Sequence, residues 1–195
     1  MKLNKKIGLY FGTFNPIHIG HIAIGNHMVN YTDLDEVWFV VSPHNPLKNK
    51  KTLLDDSFRL ELANRAIQVY DKLYVSDIEF GLSRPSYTIN TLVYLNEKYP
   101  QINFSVIMGG DNLSSFHKWK NYEAIIDNHY IYVYPRYSTT PVAIDNHKKV
   151  KLIDAPLMQI SSSLIRDGIK NKKDMRAMLP QAVWQYINEM NFYMK

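Results

Sequence analysis

Two imidazoles, His18 and His21, stand at i and i+3 in the stretch GTFNPIHIGH, Gly12 to His21. If Ile7 to Phe11 is a strand and Ile19 to Asn30 a helix, both fall at or just inside a helix N-terminus, on one face. Free backbone N–H groups and the macrodipole favour an anion at that place, so the chemistry suggested is phosphate binding. Gly12 lets the backbone approach a ligand closely, Pro16 stiffens the turn, and Gly20 keeps the helix start uncrowded. A metal site competes with this reading, but zinc takes three or four protein ligands, and the zincin pair sits at i, i+4. No metal-binding residue is assigned. Histidines that merely cap and pack are the remaining alternative. A chance match to the six fixed residues of G-x-F-x-P-x-H-x-G-H is on the order of 10⁻⁶ with all residue types equally frequent.

A second polar set lies far along the chain, in ISSSLIR, Ile160 to Arg166. Ser161 or Ser162 can cap a helix whose N–H groups face a phosphate, and Arg166, four residues after Ser162, shares that face. A capped helix with a surface arginine is the plain alternative. Asp111 follows Gly109 and Gly110 at the end of an apolar run, where a carboxylate can accept from ribose hydroxyls or simply be solvated.

These groups need a frame, and the sequence supplies one. Short β-branched and aromatic runs recur at Ile7 to Phe11, Val37 to Val41, Leu73 to Ser76, Phe104 to Met108, Tyr130 to Tyr134 and Val150 to Ile153. Helical spacing fills most gaps: Asp55 to Val69 places Phe58, Leu62, Ala66 and Val69 on one stripe. Thr88 to Leu95 opens at a plausible N-cap with Ile89, Leu92 and Val93 on a face, and Pro180 starts a last helix reaching about Phe192. The alternation predicts an α/β fold: a Rossmann-like, doubly wound, mainly parallel sheet with helices on both faces. In such sheets ligands bind beyond the carboxyl ends of the strands, where the glycine-bearing polar stretches fall.

Composition agrees with one folded domain over residues 1–195, with 46% hydrophobic and 21% charged residues. No apolar run approaches the ~20 residues of a membrane span, and no signal peptide is expected. The absence of cysteine excludes disulfides and thiolate metal sites and fits the cytoplasm. A net charge of +5, from 23 basic and 18 acidic residues, favours anionic partners. There is no interleaved basic and aromatic motif of the kind that binds RNA, so no nucleic-acid partner is expected.

The stretch Gly12 to His21 resembles the signature of the nucleotidyltransferase superfamily of adenylyl and cytidylyl transferases, and its HIGH tetrapeptide is also that of class I aminoacyl-tRNA synthetases. Two features separate them. Ile160 to Arg166 is similar to the I-S-S-T/S-x-[IV]-R motif of the small transferases rather than to a KMSKS-type loop, and 195 residues leave no room for tRNA-binding modules. Further segments, SPHNPLK (Ser42 to Lys48), SRPSYTINTL (Ser83 to Leu92), MGGDNLSSFHKWKN (Met108 to Asn121) and MLPQAVWQYI (Met178 to Ile187), resemble bacterial nicotinate-nucleotide adenylyltransferases. Asn90 stands where that family often has aspartate, and Gly110 where alanine is frequent.

The resemblance implies adenylyl transfer from ATP to the 5′-phosphate of nicotinate mononucleotide, giving deamido-NAD and diphosphate, with Mg²⁺ carried by the triphosphate. It implies that His18 steadies the α-phosphoryl transition state while His21 and Arg166 hold the triphosphate. Gly12, Thr13 and Phe14 would approach the nucleotide through backbone groups, with Asn15 near the phosphates. Lys48 and His44 would gather phosphates, and Gly109, Asp111, Ile160, Ser162 and Ser163 would complete the adenosine side. Thr88 and Trp119 would meet the pyridine ring, with Tyr87 and Lys120 nearby, and Arg136 the mononucleotide phosphate. Core packing of Trp119 and surface roles for Lys48 and Arg136 stay open. So do nicotinamide mononucleotide or phosphopantetheine as acceptor, a non-catalytic nucleotide-binding regulator, and a homo-oligomeric state.

Overall fold

The computed structural model describes residues 4–43, 53–136 and 143–194. In chain order the elements are β1 (Lys5–Gly12), α1 (Ile19–Tyr31), β2 (Glu36–Val41), α2 (Asp56–Ile67), β3 (Leu73–Ser76) and α3 (Thr88–Lys98). Then come β4 (Ile102–Gly109), α4 (Gly110–Ser114), α5 (Tyr122–Asn128), β5 (Ile131–Tyr134), β6 (Val150–Leu152), α6 (Ser162–Lys170) and α7 (Gln181–Glu189). All the strands pair in parallel in one 6-stranded sheet of order β3-β2-β1-β4-β5-β6. Strands appear at each of the apolar runs expected to form them. The chain winds outward from β1 to β3, returns to β4 and winds the other way, so the crossovers part above the carboxyl ends of β1 and β4.

Alternating side chains divide the interior into two cores. Ile7 and Leu9 of β1 join Val106 and Met108 of β4 under α3, α4 and α5, burying Leu92, Leu95, Leu113, Ile125 and Ile126. Tyr10 faces the opposite side, with Phe39, Ile107, Tyr132 and Tyr134, beneath α1, α2, α6 and α7. Each fully buried aliphatic side chain contributes roughly 1.5–3 kcal/mol relative to exposure. The α1 layer lies close to the sheet because Gly25 faces Phe39, where a Cβ would come within 2.6 Å of the ring. No helix among the described residues is long and apolar enough to cross a membrane.

Helix phase departs from the expected stripes in two places. α2 ends at Ile67 with Gln68 as C-cap, leaving Val69 76% exposed, and its buried face is Arg59, Leu62, Ala63, Ala66 and Ile67. In α3 the N-cap is Tyr87 rather than Thr88, and Thr91, Leu92 and Leu95 are buried while Val93 faces solvent. Pro180 is itself the N-cap of α7, which ends at Glu189; a turn then carries the chain to Phe192.

Candidate active site

The β1–α1 loop turns sharply: Phe14 adopts φ 44 and the Asn15–Pro16 peptide is cis. His18 is the N-cap of α1, and its ring stacks on that of His21 with centroids 3.7 Å apart and planes at 24°. The His18 backbone N–H donates to His21 Nδ1 at 3.3 Å. In the neutral imidazole this leaves the His21 proton on Nε2, the nitrogen available to a ligand. Phe14 meets the His21 ring edge-on at 5.1 Å and Tyr10 meets it at 6.0 Å, so the imidazole is held on two sides. A Cβ at position 20 would lie 3.1 Å from His18 Cε1 and Nδ1, which accounts for glycine there.

Burial, reinforced by the Arg136 charge, lowers the pKa of His18 to about 4. Burial, the His18 ring and Arg136 likewise hold His21 well below the ordinary histidine value. Both rings are neutral near pH 7. His18 Nδ1 is buried with no hydrogen-bond partner among the described residues.

The distant serine-rich motif closes over this loop. Ser161 caps α6 by accepting from the Leu164 N–H at 3.2 Å, which leaves the next serine for another task. Ser162 Oγ donates to the Pro16 carbonyl at 2.9 Å, and Arg166 Nη1 donates to the Asn15 carbonyl at 2.8 Å. Arg166 Nη2 also donates to Ser163 Oγ at 3.2 Å. Ile165 and Ile169, on the other side of α6, are buried and fasten it to the core. Ile160 sits 3.6 Å from where a Gly20 Cβ would be, so the segment leading into α6 also touches the α1 start.

Between α6 and the carboxyl ends of β1, β4 and β5 lies a cleft of about 550 Å³. Gly12, Thr13, Phe14 and Asn15 line one side, and His21, Ser162, Ser163 and Arg166 another. Asp111, Trp119 and Arg136 also line it. Arg136 donates from Nη2 to the Tyr134 hydroxyl at 3.3 Å and from Nη1 to the Met158 carbonyl at 3.4 Å, with Nε 3.7 Å from Asp111 Oδ1. The Tyr134 hydroxyl in turn lies 3.1 Å from that of Tyr10. A Cβ on Gly109 would stand 2.3 Å from Asp111 Oδ1, so glycine at this strand end gives the carboxylate its place.

His18 lies behind His21, 4% exposed, rather than on the cleft wall. Trp119 is partly exposed, its ring edge-on to Phe116 at 5.4 Å. Tyr87, Thr88 and Lys120 are not among the residues lining the cleft; Lys120 Nζ sits 4.5 Å from the Tyr87 ring centroid at the start of α3. His44 and Lys48 lie outside the described residues. Among the described residues no group of three or more His, Asp or Glu side chains could hold a metal ion.

Two supporting residues escaped the sequence reading. Arg59 is 0% exposed, and its Nη1 donates to the carbonyls of Thr13 at 2.6 Å and Ser42 at 2.8 Å, while Nε donates to Leu54 O at 3.0 Å and Nη2 pairs with Asp56. It therefore joins the loops that follow β1 and β2. Tyr193, near the end of the chain, donates to Asn15 Oδ1 at 2.8 Å. An arginine beside Phe58 on an otherwise apolar helix face was the one available hint of the first. Nothing local marked the second.

Known proteins share both the sequence and this architecture. Residues 9–168 match the cytidylyltransferase-like family. A Flavobacterium psychrophilum protein named "Probable nicotinate-nucleotide adenylyltransferase" is 60% identical over 97% of this chain and 100% of its own length. A Bacteroides thetaiotaomicron protein of the same name is 44% identical, covering 94% of this chain and 91% of its own. The Plasmodium falciparum nicotinic acid mononucleotide adenylyltransferase complexed with NaAD superposes with a TM-score of 0.82 at 21% identity, covering 97% of this chain and 98% of its own. The chain thus belongs to the cytidylyltransferase-like family and, within it, to the nicotinate-nucleotide adenylyltransferases.

Proposed function

We propose that the cleft binds ATP with Mg²⁺ and joins its AMP moiety to the 5′-phosphate of nicotinate mononucleotide, releasing diphosphate and forming deamido-NAD. The carrying observation is the meeting of Ser162 and Arg166 with the Asn15–Pro16 turn beside the His18–His21 pair, at the mouth of the sheet's switch point. The names of the full-length relatives support the same activity and acceptor, as does the NaAD complex of the Plasmodium structure.

The mononucleotide phosphate is the nucleophile. With a second pKa of about 6 it is mostly dianionic near neutrality, so no general base is required. One of its oxygens bonds to the α-phosphorus while the bridging oxygen to the β-phosphorus leaves with the diphosphate. Charge develops on the transferring group and on that leaving oxygen, so acceleration comes from alignment and positive or hydrogen-bonding groups. The His21 Nε2–H and the Arg166 guanidinium are the donors for the phosphates, with His18 stacked behind to steady the α-phosphoryl group. Arg136 serves the acceptor phosphate, Trp119 the pyridinium face, and Asp111 the ribose hydroxyls. Asp111 is the single carboxylate on the wall among the described residues, a donor set suited to an anion; magnesium enters as part of the nucleotide substrate, held by phosphate and water oxygens. The absence of cysteine supports a cytoplasmic location for this reaction.

Steady-state diphosphate release with Mg²⁺-ATP and each candidate acceptor tests this reading. Deamido-NAD should form stoichiometrically with diphosphate, with higher kcat/KM for the acid than for nicotinamide mononucleotide or phosphopantetheine. Equal efficiency for acid and amide would overturn the acceptor, and no diphosphate with any acceptor would overturn the reaction.

A further inference from the structure

The turn after α7 is tied to the rest of the fold by ring packing and by a side-chain hydrogen bond. Phe192 is 8% exposed, its ring 5.0 Å from that of Phe58 in α2 and 5.7 Å from that of Tyr186 in α7. Asn191 and Tyr193 both hold left-handed backbone, φ 54 and 65, a conformation that asparagine tolerates and tyrosine adopts only against steric cost. The return on that cost is specific: the Tyr193 hydroxyl reaches Asn15 Oδ1 at 2.8 Å across 178 positions of sequence. The same oxygen accepts the Leu54 N–H at 3.3 Å, and the Asn15 carbonyl accepts Arg166 Nη1 at 2.8 Å. Tyr193 itself does not line the cleft.

We propose that Tyr193 is a positioning residue for the ATP site, its hydroxyl fixing the Asn15 side chain and hence the turn on which Arg166 and Ser162 are anchored. This rests on reading the cleft as the ATP site. Burial holds the phenol protonated far above neutral pH, against the opposing pull of the Arg166 and Arg59 charges, so it remains a donor under all assay conditions. Asn15 is 5% exposed, so a loosened amide there transmits its displacement to the packed loop rather than to solvent.

Tyr193→Phe removes one oxygen and keeps the ring. We expect the KM for ATP and the calorimetric Kd for Mg²⁺-ATP to rise about 3- to 10-fold, with the KM for nicotinate mononucleotide unchanged and Tm shifted by a few degrees at most. A merely structural hydroxyl would lower Tm and leave both ATP parameters at wild-type values, and that result overturns the proposal. The Asn15 backgrounds give a second check: the Tyr193→Phe effect should vanish in Asn15→Ala and persist in Asn15→Asp, which keeps an acceptor oxygen. Equal sensitivity in Asn15→Ala and wild type also overturns it. Wild-type protein that binds ATP but forms no dinucleotide contradicts the proposed reaction instead, and the affinity comparison still decides the role of Tyr193.

Discussion

Both imidazoles are neutral near pH 7, because burial and the Arg136 charge, and for His21 also the His18 ring, strip their protons, and of the two only His21 reaches the cleft wall. A bound triphosphate supplies negative charge beside them and raises both pKa values. Between the free value, about 4 for His18, and the bound value, ATP binding therefore takes up protons, and affinity grows as pH falls through that window. Calorimetry at pH 6 in buffers of different ionisation enthalpy should show fractional proton uptake that shrinks by pH 7.5; a buffer-independent heat at pH 6 contradicts this. His18→Ala should lower kcat about 10²-fold with a smaller change in the KM for ATP, in steady-state assays of the acid acceptor. The placement of His18 and His21 at the start of α1, and of Ser162 and Arg166 in α6, was legible from their i, i+3 and i, i+4 spacing, whereas their expected roles came from the family resemblance. Arg59 and Tyr193 were not: the nearby Asp56 and Leu54 carbonyl do not announce the bond of Arg59 to the Thr13 carbonyl 46 positions away, and Tyr193 meets the Asn15 amide oxygen across 178 positions.

At the scale of elements, α6 is both a wall of the cleft and a brace for the loop opposite it. Its apolar side is sunk in the core through Ile165 and Ile169, and its polar side grips the Asn15–Pro16 turn. Arg166→Ala removes a charge from the cleft and a bond from the loop together. We expect the KM for ATP to rise roughly 10- to 100-fold, corresponding to the ~1.5–3 kcal/mol of a hydrogen bond to a charged group, with kcat falling as well. Loss of thermal stability with unchanged kinetics would reduce this arginine to a surface brace. The strand runs were readable because β-branched and aromatic residues cluster between turn residues. Helix phase was less so: in α2 an apolar stripe through Phe58 and Val69 excludes arginine, yet Arg59 occupies the buried face because carbonyl oxygens and Asp56 replace its water. The short α4 and α5, 5 and 7 residues, are below the length at which periodicity declares itself.

Over the whole molecule, the cleft and the ion-paired Asp33 lie at opposite ends of the strands. At the amino ends of the strands Asp33 binds Lys6 and Lys151 at 2.7 and 2.9 Å and also accepts from the Tyr132 hydroxyl, a network that depresses its pKa despite the opposing effect of burial. At the carboxyl ends the buried histidines work against acid stability. The unfolded chain binds more protons than the fold between pH 6.5 and about 4, so the His18 contribution is complete above 6.5 and declines by up to about 3 kcal/mol as pH falls to 4. Asp33 adds a further loss only below the ordinary carboxylate range, as its partners are given up. Tm should therefore fall steadily from pH 7 to 4.5 in the free protein and less steeply in His18→Ala; a flat profile, or equal slopes, contradicts the burial account. The central claim, that two motifs from opposite ends of the chain converge on one phosphorus, is tested most directly by a crystal structure with a non-hydrolysable ATP analogue and magnesium. The account predicts His21 Nε2 and the Arg166 guanidinium within about 3 Å of phosphate oxygens, over the N-terminus of α6. An analogue bound elsewhere, with those side chains turned away from its phosphates, would contradict it.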